Sequence, residues 1–123
     1  GFGVWGLGFG VWGLGIRSTD APTGKWFFEP AGDFSDVYYI RSGSQRYLSI
    51  PVSERMPANG TNVVFGPKQA NMGGRWKVVS NSDGTYSVIN MFARMALIMD
   101  GPTGGIKIWE NRANPEQRWV IGR

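Results

Sequence analysis

Side chains able to do covalent or acid–base chemistry are few in this chain of 123 residues, which has no histidine and no cysteine. Their absence excludes Ser-His-Asp and Cys-His nucleophilic sites, zinc fingers, thiol catalysis and disulfides. It also removes the commonest transition-metal ligand. Carboxylate pairs such as Asp100 with Glu110 are of the right type for glycoside hydrolysis. Nothing in their spacing separates them from solvated surface charges. Gly101, Gly104 and Gly105 are followed by neither a helix nor a Lys-Ser/Thr pair, so they make no phosphate loop. The chain is therefore expected not to be an enzyme and to need no cofactor or metal. Two features suit recognition instead. Arg55 stands in a loop between Pro51 and Pro57, which hold it extended, a form in which arginine can enter an acidic protease pocket. The same stretch also reads as a plain loop. Asn59-Gly60-Thr61 is an N-glycosylation sequon that fits an ordinary turn equally well.

The elements that must position these residues are short strands. VYYIRS (37–42) and RYLSI (46–50) flank GSQ, and NVVFG (62–66) and RWKVV (75–79) flank PKQANMGG. TYSVIN (85–90) and ALIM (96–99) flank MFAR, while GIKIW (105–109) and RWVI (118–121) flank ENRANPEQ. GIRS (15–18) and KWFF (25–28) form a further pair around TDAPTG. SNSDG and DGPTGG between pairs are Asp-Gly turns. No long window carries a helical period, and strands at this spacing are the pattern of a sandwich or barrel. The length fits one domain, large enough for a core of its own.

Composition agrees with an all-β binding module: 19 Gly, 6 Trp, 7 Phe and 4 Tyr. The 13 Lys and Arg against 9 acids give a net charge of +4, but they are scattered. Nucleic-acid binding wants a stripe or a cluster, so it is not expected. Seven of the 19 glycines lie in residues 1–15, GFGVWGLGFGVWGLG, a tandem copy of FGVWGLG. The segment lacks the basic start and cleavage pattern of a signal peptide and is short for a spanning helix. It reads as strands packed on the body, as a self-associating edge that would build a homo-oligomer, or as a membrane-contacting segment.

The chain also repeats itself. Tyr38-Tyr39-Ile40-Arg41-Ser42 answers Tyr86-Ser87-Val88-Ile89-Asn90, and Gly74-Arg75-Trp76-Lys77-Val78 answers Gln117-Arg118-Trp119-Val120-Ile121. Two four-stranded lobes are visible at 36–79 and 83–121, and repeats of this period mean stacked or radially arranged units. Gln117-Arg118-Trp119, the strand Ile106-Lys107-Ile108-Trp109 before it, and the lobe opening SDGTYSVIN resemble the Gln-x-Trp type of ricin-B β-trefoil lectin. The resemblance covers residues 37–121. It implies a β-trefoil of three lobes with Trp76 and Trp119 in the core, a glycan partner (galactose-type among them) and a secreted or extracellular setting. By the same resemblance, the 83–121 lobe would stack a sugar on Trp109 and bind its hydroxyls with Asp100, Asn111, Asn114 and Gln117. Asp100 stands about two residues beyond the family's aspartate position, where Ile98 or Leu97 falls. In the 36–79 lobe, Ser49, Gly66 and Gly74 replace the aspartate, the aromatic and the glutamine, so this lobe is expected not to bind by the usual route.

The first lobe, residues 16–35, is abbreviated. Gly24–Pro30 aligns with Gln45–Pro51 as a second strand, which leaves that lobe without a third and fourth. Residues 1–15 are the spare strand material, expected to complete the trefoil in the same subunit or a neighbour. Three function classes follow: a non-catalytic lectin, a trefoil protease inhibitor acting through Arg55, and an assembling or membrane-acting protein using residues 1–15.

Overall fold

The computed structural model describes residues 3–5, 25–32, 35–42, 45–99, 106–112 and 117–119. Among the described residues, nine antiparallel strands make one curled sheet. They are β1 (Gly3–Trp5), β2 (Lys25–Pro30), β3 (Val37–Ser42), β4 (Tyr47–Ser49), β5 (Val64–Gly66), β6 (Trp76–Ser80), β7 (Tyr86–Asn90), β8 (Ala96–Met99) and β9 (Ile106–Trp109). A 3₁₀ turn, Met72–Gly74, precedes β6. Alternation decides which side chains face inward. In β9, Ile106 and Ile108 are buried while Lys107 and Trp109 are not. The Asp-Gly turn forms before β7, where Gly84 has φ +86° and the Asp83 carboxylate accepts from the Thr85 amide and hydroxyl.

A single pairing scheme recurs three times. β6 pairs with β3 through Tyr38↔Trp76 and with β7 from Trp76↔Asn90 to Ser80↔Tyr86. β2 pairs with β1 through Val4↔Trp26 and with β3 from Trp26↔Ser42 to Pro30↔Tyr38. Trp119 forms the third such bridge, to Tyr86. Between these closures lie the hairpins β4–β5, with Leu48 opposite Phe65, and β8–β9, with Leu97 opposite Ile108. The chain is an all-β trefoil.

The register corrects the expected alignment of the first lobe. β2 does not hold the place of a second strand: it stands to β3 as β6 stands to β7, the place of a fourth. β1, from the first heptapeptide copy, pairs with it as β3 pairs with β6. Both alternatives fit a basic-aromatic-apolar strand, and strand pattern alone does not say which neighbour supplies the hydrogen bonds. Residues 6–24, including GIRS and the second copy, lie outside the described residues.

Trp76 and Trp119 are both 0% exposed, as expected. Their indole N–H groups donate to equivalent carbonyls, Leu48 at 3.0 Å and Leu97 at 2.9 Å. Phe28, Ile40, Leu48, Ile50, Val88, Leu97 and Ile108 fill the space between them. Asn90 is polar and fully buried, and three bonds satisfy it. Its Nδ2 donates to the Gly73 carbonyl, and its Oδ1 accepts from the Phe92 and Ala93 amides. Gly73 has no room for a side chain, because a Cβ would overlap the Ile50 carbonyl oxygen.

Outside the core, Glu29 joins β2 to β3 and β4. Its carboxylate accepts from Arg41 Nε and, at 3.1 Å, from the Tyr47 hydroxyl, and Lys68 Nζ lies at 3.7 Å. Partial burial alone would raise the Glu29 pKa, but the bonds from Arg41 and Tyr47 and the charges of Arg41 and Lys68 prevail and lower it. A carboxylate with a folded pKa below its unfolded one contributes stability above the unfolded value, lost as pH falls through the folded value. Thermal melting followed by circular dichroism should therefore weaken as pH drops below the ordinary glutamate range near 4.3. Glu29→Gln should flatten that slope. The side chain is 31% exposed, so the effect is about 1 kcal/mol or less. An unchanged pH slope in the variant would show that Glu29 is not the group responsible.

Candidate functional site

Trp109 ends β9 and is 38% exposed. One edge of β9 is held by β8, with Ala96 opposite Trp109. The other edge is held by the 60–63 segment of the preceding lobe. Gly60 N–H donates to Ile108 C=O at 2.8 Å, Ile108 N–H to Thr61 C=O at 3.0 Å, and Val63 N–H to Ile106 C=O at 3.0 Å. This edge brings Gly60 under the indole. A Cβ at Gly60 would meet the six-membered ring at 3.3 Å, and its φ of +88° also favours glycine. Asn59 adds a further clamp, its Oδ1 accepting from Glu110 N–H at 2.7 Å. Trp109 is thus a braced plate with part of its surface open to solvent.

Past the plate, Gln117 bonds to the segment that follows Trp109. Gln117 is 1% exposed; its Oε1 accepts from Arg112 N–H at 2.7 Å and its Nε2 donates to Glu110 C=O at 2.8 Å. Those bonds shape the loop that carries Asn111. Asn111 is exposed, and Arg112 pairs with Glu110 at 2.8 Å on the same rim. Gln117 is thus bonded to the two residues that flank Asn111, just after Trp109 in the chain. Asp100 and Asn114 lie outside the described residues, and with Asp100 the proposed carboxylate pair. Among the described residues no three metal-ligating side chains are gathered. The sequence reading did not include Asn59 and Gly60 in the site. Asn-Gly was legible as a turn, but its contact with a strand about fifty residues later was not.

The 36–79 lobe has no such plate. Gly66 opposite Tyr47 takes the place that Trp109 takes opposite Ala96. This lobe has a hollow of about 220 Å³ lined by residues 49–52, Val64, Gln69 and Asn71. Further along, residues 51–56 are exposed, with the Ser53 hydroxyl donating to the Arg55 carbonyl at 2.9 Å. Arg55 stands out from the body of the lobe on this loop.

No family model matches the chain, and no curated protein matches it in sequence. Solved structures do match in shape. The designed threefold-symmetric protein ThreeFoil superposes with a TM-score of 0.70 at 17% identity, over 88% of this chain and 76% of its own. The Polyporus squamosus lectin, bound to a human-type influenza-binding epitope, gives 0.65 at 19% identity, over 80% of this chain and 35% of its own. SeviL, bound to asialo-GM1 saccharide, gives 0.62 at 16% identity, over 88% of this chain and 77% of its own. The exo-β-1,3-galactanase of Clostridium thermocellum also matches at 0.70 and 15% identity, this chain covering 23% of its length. At these identities the likeness is one of fold: the chain is built as a β-trefoil.

Proposed function

We propose that the protein is a non-catalytic carbohydrate-binding module of extracellular glycans, with Trp109 as its sugar platform. The observation that carries this reading is the partly open indole, braced from behind by Gly60 and bordered by Asn111. An apolar sugar face packs against a π-face, while neighbouring amides bond the hydroxyls. Gln117 serves by holding the loop that presents Asn111. Two of the structurally similar trefoils carry glycans in their solved structures, which supports the class of ligand. A single shallow plate binds weakly, so useful avidity would need several copies.

The test is a glycan array followed by titration of the best galactoside into wild type and Trp109→Ala. The variant should lose at least about tenfold in affinity, close to 1.4 kcal/mol, with its melting transition retained. An array without hits, or equal affinity in the variant, would refute the proposal.

A further inference from the structure

We infer that Tyr39, Tyr47 and Glu29 form a cation cage for a phosphocholine group, with Arg75 as the partner of its phosphate. The inference does not rest on the carbohydrate-binding reading and uses none of the residues of the Trp109 platform. None of these four side chains lines the hollow beside Ser49 either.

The trefoil closes without them. Glu29 is opposite Tyr39 across β2 and β3, and Arg41 is opposite Tyr47 across β3 and β4. At the corresponding register positions of the next junction, Val79 is opposite Ser87 and Ile89 is opposite Ala96. Two aromatic rings and a carboxylate therefore stand where the repeat itself accepts aliphatic and small residues. They are also held before any ligand arrives. The Tyr47 hydroxyl donates to the Glu29 carboxylate at 3.1 Å, and Tyr39, only 8% exposed, packs with Ala31 and Val37.

What they hold now is an ammonium. Lys68 Nζ lies 4.3 Å from the centroid of the Tyr39 ring, 5.7 Å from that of Tyr47 and 3.7 Å from Glu29 Oε1. Two π-faces and a carboxylate around one positive charge are the surroundings that recognise quaternary ammonium groups.

Lys68 is a removable occupant. It is carried by residues 67–72, all of them exposed, and its own side chain is 44% exposed. An ion pair so open to water is weak, and holding a lysine in one rotamer costs side-chain entropy. Its ammonium is compact and strongly hydrated, so it regains water on leaving. A trimethylated ammonium gives up less water on entering and packs its methyl groups on both rings. One positive charge replaces another, so the balance with Arg41 and Arg75 is unchanged.

Arg75 selects what is attached to the ammonium. Its Nε donates to the Tyr39 hydroxyl at 3.4 Å, and its guanidinium carbon lies 6.0 Å from the same ring centroid. Among the described residues no carboxylate pairs with it. A guanidinium beside an ammonium site suits a ligand that carries both charges, and a phosphate accepts two bonds from one arginine. Phosphocholine is a small zwitterion of that kind, its ammonium joined to the phosphate by a short ethyl link.

The experiment titrates the ¹⁵N-labelled full chain with phosphocholine, choline and inorganic phosphate. Phosphocholine should shift the amides of residues 39, 47, 68 and 75 in a saturable way, choline more weakly and phosphate least. Lys68→Ala removes the internal competitor and should bind phosphocholine about three- to tenfold more tightly than wild type. Tyr47→Ala should lose at least about fivefold, while Tyr47→Phe, which keeps the ring, should retain most of the affinity. Glu29→Gln should also weaken binding and is the second variant should Tyr47→Ala fold poorly; circular dichroism checks each fold. Lys68→Ala without a saturable response, or Tyr47→Ala and Glu29→Gln that bind like wild type, overturns the inference. Choline bound as tightly as phosphocholine also overturns it, because Arg75 would then have no part. Phosphatidylcholine vesicles separate the sources of the group. Cosedimentation with them supports a lipid headgroup as the ligand, and binding of soluble phosphocholine without cosedimentation supports the free group.

Discussion

Trp76→Ala is expected to remove about 3–5 kcal/mol of folding stability, a large share of an ordinary reserve of about 5–15 kcal/mol. Two terms combine. The largest side chain of the core disappears from a site that is 0% exposed, leaving a cavity that rigid strands close only in part. The Leu48 carbonyl also loses its indole donor. Trp76→Phe keeps much of the volume but not the bond, and should fall between wild type and alanine. Urea denaturation followed by circular dichroism reads all three. A midpoint for Trp76→Ala within experimental error of wild type would mean that β6 is not part of the cooperative core.

Asn90→Leu should cost about 2–4 kcal/mol, although leucine has nearly the same size and is the more hydrophobic. The reason is polar accounting within a closed site. The Phe92 and Ala93 amides lose their acceptor, and the Gly73 carbonyl loses one of its two donors. A buried donor left without a partner costs about 1–3 kcal/mol. Asn90→Asp separates the contributions, since it keeps the acceptor for both amides but brings a charge to a fully buried position. Its penalty relative to wild type should vary with pH where that of Asn90→Leu does not, and denaturant melts of all three proteins at two pH values test this. A stable Asn90→Leu would show that the 91–95 turn holds itself without the side chain.

Asn90 has a consequence beyond stability. The carbonyl it supports belongs to Gly73 and also accepts from the N–H of Ile50, which follows Ser49. Close approach at a glycine recurs: a Cβ at Gly73 would overlap the Ile50 carbonyl oxygen, and one at Gly60 would meet the Trp109 ring at 3.3 Å. Gly60 reaches from the 36–79 lobe to brace the strand of the next. The platform therefore belongs to two lobes, although the side chains that would touch a sugar come from one.

Much of the architecture was legible in the residue order. IKIW reads as a strand and forms β9, and the resemblance that implied core positions for Trp76 and Trp119 named two tryptophans that are 0% exposed. Asp83-Gly84 announced its turn because aspartate and glycine meet its backbone demands locally. Other features depended on neighbours distant in the chain. Gly24–Pro30 was readable as a strand but not as a fourth strand, since its hydrogen-bond partners, β1 and β3, are chosen by the whole sheet. Gln117 was assigned by resemblance to bind sugar hydroxyls, while its bonds to Arg112 and Glu110 turn it toward its own loop. Ser49 in place of an aspartate and Gly66 in place of an aromatic read as the loss of a site. Folded, Ser49 lines a hollow with Val64, Gln69 and Asn71.

The division follows from the range of the forces. Alternating polarity, turn residues and the absence of histidine and cysteine act within a few residues, and these established an all-β chain with aromatic cores and the chemistries unavailable to it. Register, cavity volume and the bracing of an exposed indole are sums over segments tens of residues apart. They exist only once the strands are packed, because a side chain's exposure and its unpaired bonds are properties of what surrounds it.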